Sequence, residues 1–126
     1  LNEKINDKKS ICSILMNQLY FPGVGNYIKS ESLYKTELHP EEKWKQLNQI
    51  TKIKLIKNTQ NIMKRSYKNG GAELKDFKNP FNKSIFKLKV YGKKTTPNNN
   101  PIINKLTSDS RKTWYCSKTQ KLNCNN

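Results

Sequence analysis

The sequence predicts a mainly α-helical fold carrying a small β-hairpin subdomain, and three observations lead there. Between Ile50 and Met63, apolar residues recur at helical spacing with lysines between them, the pattern of a helix packed on one side. Upstream, FPGVGNYIKSESLYKTELHP places two glycines around one valine directly before an amphipathic run, which reads as a sharp turn feeding a helix start. Downstream, PIINKLTSDSRKTWYC gives two short β segments joined around Ser108, Asp109 and Ser110. The expected organisation is a helical body over residues 1–80, a hairpin subdomain over 81–122 and a loose tail over 123–126.

Taken in order, Leu1, Ile5, Ile11, Ile14 and Leu15 suit one or two helical turns packing on a core. The glycine pair then lets the backbone turn so that the first amides of a helix beginning at Asn26 point outward. Such a start is an anion site, with a plain inter-helix turn as the competing reading. Pro40 is tolerated in a first helical turn, and Glu41 and Glu42 suit the positive end of a helix dipole, so a helical region is expected from Pro40. His39 is then a capping or packing residue, since no partners for a metal role are found. In the longest helix, Ile50, Ile53, Ile56 and Met63 form the apolar stripe with Leu55 and Ile62 alongside. Lys52, Lys54, Lys57, Lys64 and Arg65 cover other faces, as a solvated or a phosphate-binding surface. Asn69, Gly70 and Gly71 stop the helix at Tyr67 or Lys68. GGAELKDFKNPFNKS reads as an ordered loop, SIFKLKVYG as a strand-like alternation, and KKTTPNNNP as a loop tip.

A chain of 126 residues suffices for one compact domain, and periodic apolar segments predict that it folds despite a hydrophobic fraction of 33%. Lys and Arg number 25 against 9 Asp and Glu, a net charge of +16 that calls for a polyanionic partner. Nucleic acid is preferred to an anionic membrane because no strongly apolar amphipathic face appears. No stretch approaches the roughly 18 apolar residues of a membrane span, and the first residues lack the apolar core of a signal peptide, so an intracellular protein is expected. Cys12, Cys116 and Cys124 are an odd set without CxxC spacing, which argues against a disulfide framework and an intact zinc finger. The chain begins with Leu instead of Met, which leads to the expectation of an upstream portion.

The ordered combination of LMNQ, GVGNYIKSESL, HP, a long helix, GGAELKDF, VYG and RKTWYC-x-x-x-Q resembles the C-terminal half of the Fpg/Nei family of DNA glycosylases. That resemblance implies a helix-two-turns-helix module followed by a finger hairpin. The family finger carries four zinc-binding cysteines, whereas the matching positions here hold Asn98, Pro101, Cys116 and Thr119. One thiolate cannot build a tetrahedral zinc site, so the chain looks like the zincless-finger branch of Nei-like enzymes, with no metal or cofactor. The hairpin is then expected to be held by strand pairing and by packing of Ile102, Ile103, Trp114 and Tyr115.

By the same resemblance, Gly25 and Asn26 at the helix start and Arg111 in the finger are DNA-binding residues gripping backbone phosphate around an extruded nucleotide. Amide and guanidinium donors suit that task. Glu31 matches a carboxylate facing the catalytic lobe, with an exposed helix glutamate as the plain alternative. The resemblance further implies a bifunctional glycosylase and AP lyase of base-excision repair, a monomer acting on damaged double-stranded DNA that carries oxidised bases. Its nucleophilic N-terminal amine and catalytic lobe are not in this chain, which thus holds no catalytic residue of its own. A competing class is a non-enzymatic helix-hairpin-helix-type DNA- or RNA-binding module, which does not call for the RKTWYC hairpin.

Overall fold

The computed structural model describes residues 8–68 and 88–122. In chain order these form α1 (Ile11–Leu15), α2 (Asn26–Thr36), a 3-10 turn (Trp44–Gln46), α3 (Gln49–Lys68), β1 (Ile102–Leu106) and β2 (Lys112–Cys116). The strands make an antiparallel hairpin in which Ile102 pairs with Cys116 and Leu106 with Lys112. Mainly helical with one small hairpin, the architecture is the one expected.

α2 is the central element, packed between α3 and β2. Ile28, Lys29, Ser30, Glu31, Ser32, Leu33 and Thr36 are all buried, so it is covered on several sides and not on one stripe. Gly25 is its N-cap, and the helix ends where Glu37 turns left-handed (φ 61°). The Glu37 and Leu38 amides there donate to the Tyr34 and Leu33 carbonyls, the paired bonds that close a helix C-terminus. Ile11, Leu15, Val24, Ile28, Leu33, Trp44 and Leu55 belong to the apolar core around it.

Three expectations change. No α-helix begins at Pro40, because the Pro40 and Glu42 carbonyls accept from the Cys12 and Ile11 amides (3.1 and 2.7 Å) and Trp44 donates to the Lys9 carbonyl (3.2 Å). Carbonyls spent on α1 cannot close helical turns of their own. α3 starts instead behind Asn48, whose side-chain oxygen accepts from the Thr51 amide at 2.7 Å. On α3 the buried face is Leu55, Thr59, Ile62 and Ser66, while Ile50 and Ile53 are exposed, so the packed stripe is rotated from the expected one.

Residues 89–92 are bends and turns and Leu88 is irregular where a strand was expected, and the rest of the SIFKLKVYG segment lies outside the described residues, as do the GGAELKDF loop, Gly70 and Gly71. In a strand, successive amides point to opposite sides. Here the amides of Lys89, Val90 and Tyr91 all donate to one carboxylate, that of Glu31. Leu88 and Val90 are nevertheless buried, which is what their alternation signals.

Candidate nucleic-acid interface

Two glycines shape the approach to α2, each for its own reason. Gly23 adopts φ 90°, a conformation that an L side chain rarely takes. Gln18 braces that turn, accepting from the Gly23 amide (2.9 Å) and donating to the Val24 carbonyl (3.1 Å). Gly25 is extended (φ −101°, ψ −176°), which any residue can adopt. Apart from Gly25 itself and its immediate chain neighbours, no heavy atom of the described residues comes within 4 Å of where its Cβ would be. Space therefore lies open over the helix start, where the first-turn amides have no acceptor within the helix.

The hairpin tip is fastened directly beside that opening. Asn26 Nδ2 donates to the Lys112 carbonyl at 2.9 Å. One turn further along, Lys29 is fully buried, and its Nζ lies 2.6 Å from Asp109 Oδ2, a carboxylate only 2% exposed. The Trp114 amide then donates to Ser30 Oγ at 3.3 Å. Arg111 lies at the tip with its side chain exposed, while its carbonyl accepts from the Thr107 amide (3.0 Å). Gly25, Asn26 and Arg111 are thus brought to one end of the molecule, with Asn26 held by its hairpin bond to Lys112. Buried Asn26 Oδ1 has no hydrogen-bond partner among the described residues.

Burial holds the Lys29 ammonium below its ordinary pKa; the hydrogen bond and charge of Asp109 oppose that, and the nearby Arg111 charge adds to it. The lysine stays compensated because its one close anion is buried with it. Neither residue was singled out from the sequence. A signal existed: Asp109 is the one acidic residue beyond Asp76, placed at the turn of a lysine-rich hairpin.

Glu31 does not face an open side of the fold. Its buried carboxylate accepts from the amides of Lys89 (3.0 and 2.9 Å), Val90 (2.9 Å) and Tyr91 (2.9 Å). Burial pushes its pKa up while those three amides pull it down. Not an exposed glutamate, Glu31 fastens the 89–91 loop to α2. Tyr91 in turn packs against Trp114 of β2, ring centroids 4.6 Å apart, and edge-on to Tyr27 of α2 at 6.1 Å.

At the hairpin base, hydroxyl and amide hydrogen bonds close the loop. Among the described residues no group of three His, Cys, Asp or Glu could hold an ion. Buried Thr96 instead organises the loop of Asn98 and Pro101: its hydroxyl accepts from the amides of Asn98 (3.2 Å) and Asn100 (3.1 Å), and its own amide donates to the Asn100 carbonyl (2.8 Å). Burial raises the Tyr34 hydroxyl pKa, Cys116 adding to this and a side-chain hydrogen bond with Thr96 opposing it. Hydroxyls and a buried thiol thus occupy this region, a donor set unsuited to zinc. Gln120 completes the base, accepting from the Cys116 amide (2.8 Å) and donating to the Leu38 carbonyl (2.9 Å). His39 packs edge-on to Tyr115 (4.9 Å), and its Nδ1 accepts from the Glu41 amide (3.0 Å). Of the expected packing residues, Ile103 is 37% exposed and takes little part.

A helix-two-turns-helix body with a basic hairpin folded onto the start of its central helix defines the structural class of the chain. The family model of the formamidopyrimidine-DNA glycosylase H2TH domain matches residues 1–78, and the chain belongs to that family. It is 35% identical over 122 residues to the formamidopyrimidine-DNA glycosylase of Mycoplasma mobile, covering 92% of this chain and 44% of that protein. The Rickettsia bellii enzyme of the same name is 35% identical over 123 residues, covering 93% and 45%. Among solved structures it is similar to a viral DNA glycosylase (TM-score 0.75, 25% identity, 90% of this chain and 40% of that one). A Lactococcus lactis Fpg bound to abasic-site DNA gives TM-score 0.76 at 25% identity, over 90% of this chain and 44% of that one. The chain therefore spans less than half the length of the relatives it matches.

Proposed function

We propose that this chain is the DNA-holding portion of a base-excision-repair DNA glycosylase, gripping duplex phosphates around a flipped nucleotide. The observation that carries the proposal is the open space over Gly25, bordered by the Asn26 amide start and by the hairpin tip bearing Arg111. An uncovered helix start offers backbone donors, and guanidinium offers a fork; both suit a phosphate oxygen. The net charge of +16 supplies the long-range attraction. Family membership supports the reading, as do the related structures determined with damaged DNA.

In this reading the residues of 1–80 and 81–122 divide the task as helical body and finger. The nucleophilic amine of a bifunctional glycosylase and AP lyase lies in a lobe upstream, the protein works as a monomer, and its place is wherever cellular DNA is repaired. No helix among the described residues is long and apolar enough to cross a membrane.

The test is a fluorescence-anisotropy titration of the chain on a duplex with an abasic-site analogue. For three neutralised phosphates, affinity is expected to fall roughly 40-fold between about 50 and 200 mM salt. Arg111→Ala is expected to weaken binding by roughly 10- to 100-fold, and Lys112→Ala, the neighbouring exposed charge that matches no family contact, by less than about threefold. Salt-independent binding, or equal losses from the two substitutions, would refute the assignment. Borohydride trapping of an adduct between this chain and abasic DNA would show that the nucleophile had been placed wrongly.

A further inference from the structure

The hairpin tip contains more internal bonding than a two-stranded turn needs. Asp109 Oδ2 pairs with Lys29 Nζ at 2.6 Å, and Oδ1 accepts from Thr107 Oγ1 at 2.5 Å. A threonine hydroxyl carries one proton, so while Thr107 donates its own to the Asp109 carboxylate in a hydrogen bond, the Thr113 hydroxyl (2.8 Å) donates to Thr107. Thr107 holds Arg111 through its amide, which donates to the Arg111 carbonyl at 3.0 Å. Between Asp109 and Arg111, Ser110 adopts φ 66°, an uncommon conformation for a side chain and one that needs its surroundings to hold it. A second tether acts from the other side, where Ser108 donates through its amide (2.9 Å) and hydroxyl (2.7 Å) to the Glu41 carboxylate.

We infer that the buried Lys29–Asp109 pair positions Arg111, fixing the tip loop on α2 so that the guanidinium meets phosphate in a set orientation. The inference rests on the reading of Arg111 as a phosphate-binding residue. Lys29 is fully buried and neutralised by Asp109, so it adds almost nothing to the outward field and is not itself a contact. Removing the pair therefore changes binding through the geometry of Arg111 and not through lost charge. Lys29 and Asp109 are positioning residues.

The experiment is a cycle of variants of the full chain, measured by anisotropy on the abasic-analogue duplex and by thermal melting. The pair is replaced by the apolar combination Lys29→Met with Asp109→Leu, since a buried ion pair exchanged for apolar neighbours often leaves a fold as stable as before. Expected is a loss of DNA affinity of about tenfold or more at an unchanged melting temperature. In that background Arg111→Ala should cost less than about threefold, although in the native chain it costs tenfold or more. Lys29→Met with Asp109→Asn, which leaves no buried charge unpaired, repeats the cycle if the apolar pair does not fold. Arg111→Ala costing the same with and without the pair would overturn the inference, leaving Lys29–Asp109 a structural fastening alone. Arg111→Ala without effect in the native chain would instead overturn the phosphate-binding reading and this inference with it.

Discussion

Replacing Glu31 by alanine tests whether one carboxylate organises the 89–91 loop ahead of the hairpin. Its oxygens accept from three successive amides, those of Lys89, Val90 and Tyr91, at 2.9 to 3.0 Å. Val90 is fully buried, so its orphaned amide bears the whole cost of an unmet donor, about 1–3 kcal/mol. Lys89 is exposed and Tyr91 half-buried, so water replaces part of what they lose. Removal of the carboxylate also releases the contact of Tyr91 with Trp114. The expected loss is about 3–4 kcal/mol, below the sum of separate bonds because the bonds share one acceptor group. At about 4 °C per kcal/mol for a domain of this size, melting should fall by roughly 12–16 °C in calorimetry. Glu31→Gln keeps one acceptor oxygen but turns an NH₂ towards amide donors, and is expected to lose about half as much. A loss below about 1 kcal/mol for the alanine variant would refute the claim that Glu31 holds this loop.

Gln120→Ala removes an acceptor for the Cys116 amide and a donor to the Leu38 carbonyl at a fully buried position. A loss of about 2–4 kcal/mol is expected in urea unfolding, with Lys121→Ala near zero as the surface comparison. Burial lowers the His39 pKa from its ordinary value, so between that lowered value and about 6.5 the unfolded chain binds the extra proton and stability rises with pH. Acidification through this window should therefore destabilise the native chain more than His39→Asn, by at most about 1.4 kcal/mol per pH unit for one proton; equal pH profiles of the two would count against it. Protonation also removes the Nδ1 acceptor of the Glu41 amide. Protein prepared without chelator is expected to carry no stoichiometric zinc by elemental analysis, and one equivalent per chain would show that Thr96 and its loop had been misread.

The sequence was most readable where local chemistry decides the conformation. Gly23 with φ 90° ahead of α2, and the Ser108 to Ser110 turn between two alternating segments, both announce themselves in residue type. Family motifs brought Gly25, Asn26 and Arg111 forward, and the fold gathers them. Long-range bonding was unreadable. Nothing in PEEKWKQ reveals that its carbonyls are taken by α1, and nothing in KLKVYG reveals that one glutamate about sixty positions earlier gathers three of its amides. The rotated face of α3 has a similar origin: Thr59 and Ser66 are buried among apolar neighbours, Thr59 returning its hydroxyl to the Leu55 carbonyl (2.8 Å) and Ser66 bonding the Tyr27 hydroxyl. A hydropathy stripe passes over such residues and counts exposed Ile50 instead.

The hairpin is riveted to α2 at its tip through Asn26 and Lys29, along β2 through Ser30, and at its base by Gln120 reaching the Leu38 carbonyl. α2 acts as a splint, and the interval between its uncovered first turn and the arginine of the tip is a fixed gauge. Under the proposed reading, a straight duplex whose phosphates do not match that gauge cannot be accommodated by flexing the protein. The mismatch must be taken up as bending or unstacking of the nucleic acid. Duplexes weakened at one step deform at lower cost than intact ones. Stiffness in this half of the molecule would then discriminate in favour of damaged sites before any base is read.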